Sequence, residues 1–156
     1  MPDMRIQIAE KTDFLTVKTI TQTTILSVYP KYYPAGAVRF FSEHHSDEKI
    51  LNDILAGKVY LLETEGGTAG TVTISGNEIN RLFVLPGYQG RGYGSQLMDF
   101  AEQMIRRESD TVILDASLPA KKMYLQRGYR NTAYQTIETD NGDYLCYDVM
   151  ERSFRE

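Results

Sequence analysis

A single cysteine, Cys146, stands in the 156 residues, so no internal disulfide framework can staple the fold, and a lone thiol fits a reducing compartment. A surplus of positive charge is also missing. Lys and Arg number 17 against 21 Asp and Glu, a formal net charge of −4, which removes the broad basic field of a nucleic-acid binder. No apolar run reaches membrane-spanning length, and the opening Met1-Pro2-Asp3-Met4-Arg5 carries no apolar stretch of the kind that directs secretion. Repeats, linkers and low-complexity blocks are absent from the sequence too. The expectation is a soluble cytoplasmic protein with no nucleic-acid or membrane partner, folded as one domain over 1–156 and long enough to bury a core.

What is present is a regular succession of periodic segments. Arg5 to Ala9 alternates and reads as a strand. Residues 13–29 suit a helix capped by Thr12 or Asp13 and stopped by Pro30, although its threonines are poor helix formers. Residues 30–45 read as a loop or broken helix. Ser46 can cap a further helix that buries Ile50, Leu51, Ile54 and Leu55 and ends at Gly57. Three strands follow, joined by turns at Gly66-Gly67 and Gly76-Asn77. Leu97, Met98, Ala101, Met104 and Ile105 recur at helical spacing. Val112 to Asp115 fits a buried strand, and Pro119 opens a helix that ends by Gly128. Two last strands flank a turn at Asp140-Asn141-Gly142-Asp143. The order β, α, α, three linked strands, α, β, α, two strands predicts an α+β fold in three layers (α/β/α). Its central sheet is mixed and mostly antiparallel, flanked by helices.

The densest signal lies at 82–98, where the strand Leu82-Phe83-Val84-Leu85 breaks at Pro86 and a glycine-rich loop leads into a helix. Such a loop leaves backbone N–H groups unpaired at the positive end of the helix dipole, a place suited to phosphate or pyrophosphate. A dinucleotide fingerprint fails because Ser95 stands where its third glycine belongs, and a Walker loop fails because Tyr93 replaces its lysine. What remains is Gln89-x-x-Gly92-x-Gly94 behind Val84-Leu85-Pro86. This resembles the acyl-CoA motif of the GNAT N-acetyltransferase superfamily, and the order of elements agrees along nearly the whole chain. A second block, Ser117 to Tyr129, is similar to the family segment N-x-x-A-x-x-[LF]-Y-x-x-x-G-F: Ala120, Tyr124 and Gly128 match it, Met123 and Tyr129 are close substitutes, and Ser117 replaces asparagine.

The resemblance implies a GNAT-like acyltransferase fold and acetyl-CoA as co-substrate, with no metal. It implies that Gln89, Gly90, Arg91, Gly92, Tyr93 and Gly94 hold the pyrophosphate, and that the backbone of Phe83 and Val84 pairs with the pantetheine arm. Ser117 would bond that arm or cap its helix. Tyr124 would meet the departing sulfur as general acid, and its alternative role is core packing. Glu78 would relay the acceptor's proton, its alternative being a solvated strand-end carboxylate. Arg91 adds charge to the loop or stays in solvent, and Lys121-Lys122 reads as a solvated helix face.

Tyr29, Tyr32, Tyr33, Phe40 and Phe41, with Glu43 nearby, suit an acceptor pocket for a cationic amine or, equally, a helix-packing cluster. His44-His45 lacks companions for a metal site and reads as a surface pair. The reaction implied is direct acetyl transfer to a primary amine of a small molecule. Two rivals are a protein or peptide N-acetyltransferase and a non-catalytic acyl-CoA sensor. Like many relatives, the chain is expected to form a homodimer, through a sheet edge at 144–150.

Overall fold

Hairpins dictate the sheet. In the computed structural model, which describes residues 4–155, seven strands form one sheet in the order β1-β2-β3-β4-β5-β7-β6. They are β1 (Met4–Ile8), β2 (Val59–Thr64), β3 (Gly67–Ser75), β4 (Glu78–Val84), β5 (Thr111–Ala116), β6 (Arg130–Glu138) and β7 (Tyr144–Ser153). Short turns such as the one at Gly76, with φ +61°, force antiparallel neighbours. Only β4 and β5 are parallel, because a helix crosses between them.

The helices divide between the two faces of the sheet. On one face lie α1 (Phe14–Val28), α2 (Ala35–His44) and α3 (Asp47–Leu55). There Val17, Ile20 and Ile25 of α1 pack with Ile50 and Ile54 of α3 onto Val59, Leu61 and Phe83 of the sheet. On the other face lie α4 (Tyr93–Ile105) and α5 (Leu118–Gln126). Leu97, Met98 and Ala101 of α4 there meet Leu62, Val72, Val112 and Met150. Buried Glu102 of α4 ties this layer together, accepting hydrogen bonds from Tyr129 (2.8 Å), Arg152 (3.2 Å) and Arg127. This is the three-layer α+β arrangement that the periodicities predict.

Three local expectations need correction. Residues 35–44 form a complete ten-residue helix, so three helices rather than two precede β2. Gly36 disguised it, glycine being a poor helix former. Here the glycine is required by packing: the β6–β7 turn sits against it, and Asp143 Oδ2 accepts the Gly36 N–H at 2.8 Å. Asp13 does not cap α1 with its side chain; its carboxylate accepts the Glu10 N–H at 2.8 Å, as part of a capping box on the short 3-10 turn before α1. Finally, β7 pairs with β6 along 144–151 and with β5 from Asp148 to Ser153, so it is an inner strand, and only its first residues, 144–147, lack a partner on the β5 side. The sheet ends on β6. Ser46, by contrast, caps α3 as foreseen, accepting the Lys49 N–H.

The irregularity that matters most lies in β4. The register with β3 shifts between Thr71 and Thr73, and Arg81 adopts φ +50° there. One extra residue reverses the side-chain alternation. Ile79 therefore faces α4 whereas Phe83, four residues on, faces α1.

A Cβ added at Gly36 would overlap Asn141 Oδ1 and Thr139 Oγ1, which bond each other. Alanine is the better helix former by about 1 kcal/mol, but overpacking outweighs this. Gly36→Ala is expected to lower stability by about 1–2 kcal/mol, read as a fall in Tm. An unchanged Tm would mean that the turn docks without strain relief at this glycine.

Candidate active site

Parallel strands β4 and β5 pair only at Glu78–Ile113 and Ile79–Leu114. Beyond those pairs β4 stays with β3, and β5 stays with β7 as far as Ala116, so a cleft opens between them. Each strand leads at its C-terminal end into a helix, and both helix starts therefore border the cleft. Open α/β sheets bind ligands at such a place.

The loop before α4 is shaped by two left-handed glycines, Gly90 (φ +80°) and Gly92 (φ +84°). Gly92 is the N-cap of α4 and supplies no side-chain cap, and the N–H of Gln96 is the one that bonds back to its carbonyl. The amides before Gln96 are thus left for an anion. Gln89 braces the loop by donating its side-chain N–H to the Val84 carbonyl at 2.9 Å, and the Tyr88 hydroxyl donates to the Gly66 carbonyl at 2.9 Å. A groove of about 430 Å³ results, lined by Phe83, Val84, Gln89, Gly90, Gly92, Tyr93, Gly94 and Ser117. Of the predicted loop residues, Arg91 is off this lining; it is exposed, with its guanidinium 5.6 Å from the Tyr88 ring centre.

Backbone direction separates Phe83 from Val84. Leu85 donates its N–H to Ala69 of β3 at 2.8 Å. Because strand amides alternate sides, Val84 turns its backbone toward the cleft and Phe83 toward β3. Phe83 contributes its ring instead.

A second cavity, about 200 Å³, lies beside the groove and shares Tyr29, Leu82, Phe83 and Ser117 with it. Tyr124 lines this cavity at 5 % exposure, and burial pushes its phenol well above the usual tyrosine range, so the hydroxyl stays protonated. Tyr29 is likewise pushed up by burial, to about 12, while a hydrogen bond with Ser117 opposes the shift. The Ser117 side chain does not cap α5. The helix start is served from the opposite layer, where the Tyr33 hydroxyl accepts the Leu118 N–H at 2.6 Å.

The remaining predictions divide. Tyr29, Phe40 and Phe41 line the cavity; Tyr32 lines the groove, and Glu43 is exposed away from both. Glu78, half-buried at the base of β4, lines neither space. Its carboxyl is raised above the ordinary range by burial and then by the charge of Asp115, which does line the cavity. Both histidines line the cavity, a correction to the surface pair: His44 keeps an exposed side, whereas His45 is half-buried and accepts a hydrogen bond from Arg81 Nε. Lys121 is another, being paired with Asp148. Sequence reasoning missed Asp115, Arg81 and Tyr147 as cavity residues. Alternation along β5 could have pointed to Asp115, a polar residue inside an apolar strand; Arg81 depends on the bulge. Among the described residues, no group of three His, Cys, Asp or Glu could hold a metal ion. No helix among them is long and apolar enough to cross a membrane.

Known proteins are similar to this chain in sequence or in fold. An N-acetyltransferase of Lactobacillus delbrueckii subsp. lactis, itself uncharacterized, is 26 % identical, the match covering 79 % of this chain and 82 % of that protein. A GCN5-related N-acetyltransferase structure from Rhodopseudomonas palustris superposes with TM-score 0.83 at 24 % identity, covering 98 % of this chain and 96 % of that one. The PaiA N-acetyltransferase of Thermoplasma acidophilum, solved with coenzyme A, gives TM-score 0.71 at 19 % identity, over 97 % and 99 % of the two chains. A family model described as an acetyltransferase (GNAT) domain matches residues 28–147. On that match, which spans the cleft, both helix starts and the second cavity, the chain belongs to the GNAT superfamily of N-acetyltransferases.

Proposed function

We propose that this protein transfers the acetyl group of acetyl-CoA to the primary amine of a small molecule by direct attack. The observation that carries the reading is the meeting of two spaces at Phe83 and Ser117: a groove ending on unpaired helix amides, and a small aromatic cavity holding Tyr124. Bound acetyl-CoA supplies the activated acyl group, and the α4 start, which has no side-chain cap, suits its pyrophosphate. Cys146 lines neither space, which supports direct attack over an acyl-enzyme. The cavity is walled by Phe40 and Phe41 of α2 and by Ile137, Leu145 and Tyr147 of the last hairpin. Such enclosure favours a small amine over a peptide, and the retention of Tyr124 and Glu78 favours catalysis over sensing.

Tyr124 acts on the sulfur side. A thiol titrates near ~8.5 and an ordinary phenol near ~10, so full proton transfer is uphill by about 2 kcal/mol. Burial widens that gap for Tyr124. Its contribution is therefore a hydrogen bond that strengthens as charge grows on sulfur. Glu78 acts on the amine side, through water and past Asp115, since it does not line the cavity. A raised carboxyl is a stronger base once ionised, and it works only above its own pKa.

The homodimer is proposed through β6, the terminal strand of the sheet, which is exposed along nearly its whole length. A monomer at micromolar concentration in light scattering would refute it.

Gly92→Val is expected to weaken CoA binding at least tenfold in calorimetry, since a β-branched residue resists φ +84° at a strain of about 1–3 kcal/mol. Normal binding would remove the loop from the site. Tyr124→Phe should lower kcat about 10–100-fold while leaving the acetyl-CoA Kd nearly unchanged; an undiminished kcat with chemistry rate-limiting would make Tyr124 a packing residue. Glu78→Gln should slow the enzyme most below the acceptor's pKa and least as pH approaches it, because a base is needed only while the amine is protonated. A pH–rate profile parallel to wild type with equal kcat would exclude that role, and a higher KM alone would indicate binding of the ammonium.

A further inference from the structure

Resting on the reading that the smaller cavity takes the acceptor, we propose that His45 is a specificity-determining residue, held by Arg81 as the Nε2–H tautomer to select amines that carry an oxygen acceptor. Arginine is always charged and only donates hydrogen bonds. Arg81 Nε donates to His45 Nδ1 at 3.3 Å, which uses the lone pair of that nitrogen and leaves the ring proton on Nε2.

Both partners are held in place. The Arg81 side chain is 5 % exposed and also donates to Asp53 Oδ2 at 2.9 Å and to Thr73 Oγ1 at 3.1 Å. Its backbone sits at the β4 bulge. His45 gives its N–H to the Phe41 carbonyl at the end of α2, while its own carbonyl accepts from Gln22 Nε2 at 3.1 Å. The imidazole stands edge-to-face against Phe83, with ring centres 5.9 Å apart. Among the described residues Nε2 has no hydrogen-bond partner, and it is not sealed from solvent; the side chain lines the cavity.

A second proton is opposed from every side. The ring is largely buried, and Arg81, His44 and Lys49 all act against a positive charge, which together lower its pKa to about 3. His45 is thus no candidate base at neutral pH. It is a donor of fixed direction. Asp115, on the same cavity, offers the complementary acceptor for an ammonium. An acceptor molecule with an amine alone would leave the His45 donor unpaired once water is excluded, and such mismatches are discriminated against.

The test begins with the full chain carrying 15N-histidine, in which the sequence has only two imidazoles, and His44→Gln leaves one. Long-range 1H–15N spectra should show the Nε2–H form of His45 with no titration from about pH 5 to 8. A proton on Nδ1, or titration in that window, overturns the proposal. Arg81→Met should free the tautomer, seen as a rise of the Nδ1–H form, and move the titration point upward, although burial still holds it below the ordinary histidine range; should that variant not fold, the wild-type spectrum decides the tautomer alone. The second arm compares acetylation of phenethylamine and phenylalaninamide, which differ by a carboxamide, followed as thiol release from acetyl-CoA. His45→Phe should reduce the amide-to-amine ratio of kcat/KM by roughly three- to tenfold, and His45→Gln, which keeps an N–H donor, should recover part of it. Equal losses on both amines overturn the proposal. If neither amine is acetylated, the transfer reading fails for this class, and the donor is judged by binding instead. Phenylalaninamide must then shift the His45 Nε2–H resonance more than phenethylamine does, and equal shifts overturn it.

Discussion

Beyond Ile79 and Leu114 the strands β4 and β5 no longer pair, and the backbone and space this frees govern the rest of the site. A continuous sheet would fill its own cleft and satisfy its own amides. Parting requires that both strands keep their outer partners, which β3 and β7 provide. The bulge at Arg81 belongs to the same event. It turns Phe83 from the α4 face to the α1 face, so one ring borders both the groove and the smaller cavity.

Polar contacts across the layers then align the two spaces. Tyr33 comes from the segment between α1 and α2, yet its hydroxyl serves the start of α5. Tyr29, one turn earlier, packs on Phe41 and Phe83 and borders both spaces. The helix that carries Tyr124 is thus positioned partly by a tyrosine of the opposite layer. Buried donors and acceptors of this kind contribute about 1 kcal/mol each when paired and cost more when orphaned. They restrict the layers to one relative placement more than they add to total stability.

Much of the fold was legible in the chain because it is set by local rules. Gly76 permits its turn, Ser46 caps α3, and Pro119 sits in the first turn of α5; each acts within a few residues of itself. The loop before α4 was legible for the same reason, since a left-handed glycine at a helix start requires no distant partner. Helix α2 was hidden because its evidence is not local: Gly36 weakens the helical signal, and the turn that requires this glycine lies about a hundred residues away along the chain.

The candidate site divides along the same line. The sequence by itself determined the element order apart from α2, the anion-suited loop at 89–94 and the placement of Tyr124 on a helix after the fifth strand. These follow from periodicity, glycine chemistry and capping, all short-range in the chain. Only the tertiary structure decided that His45 enters the cavity, that Asp115 stands near Glu78, and that β7 is an inner strand. Arg81 reaches His45 across 36 residues and Asp53 across 28. Both contacts pass through a bulge whose one-residue shift decides which face every later side chain of β4 takes, and strand periodicity alone does not encode where such a shift falls.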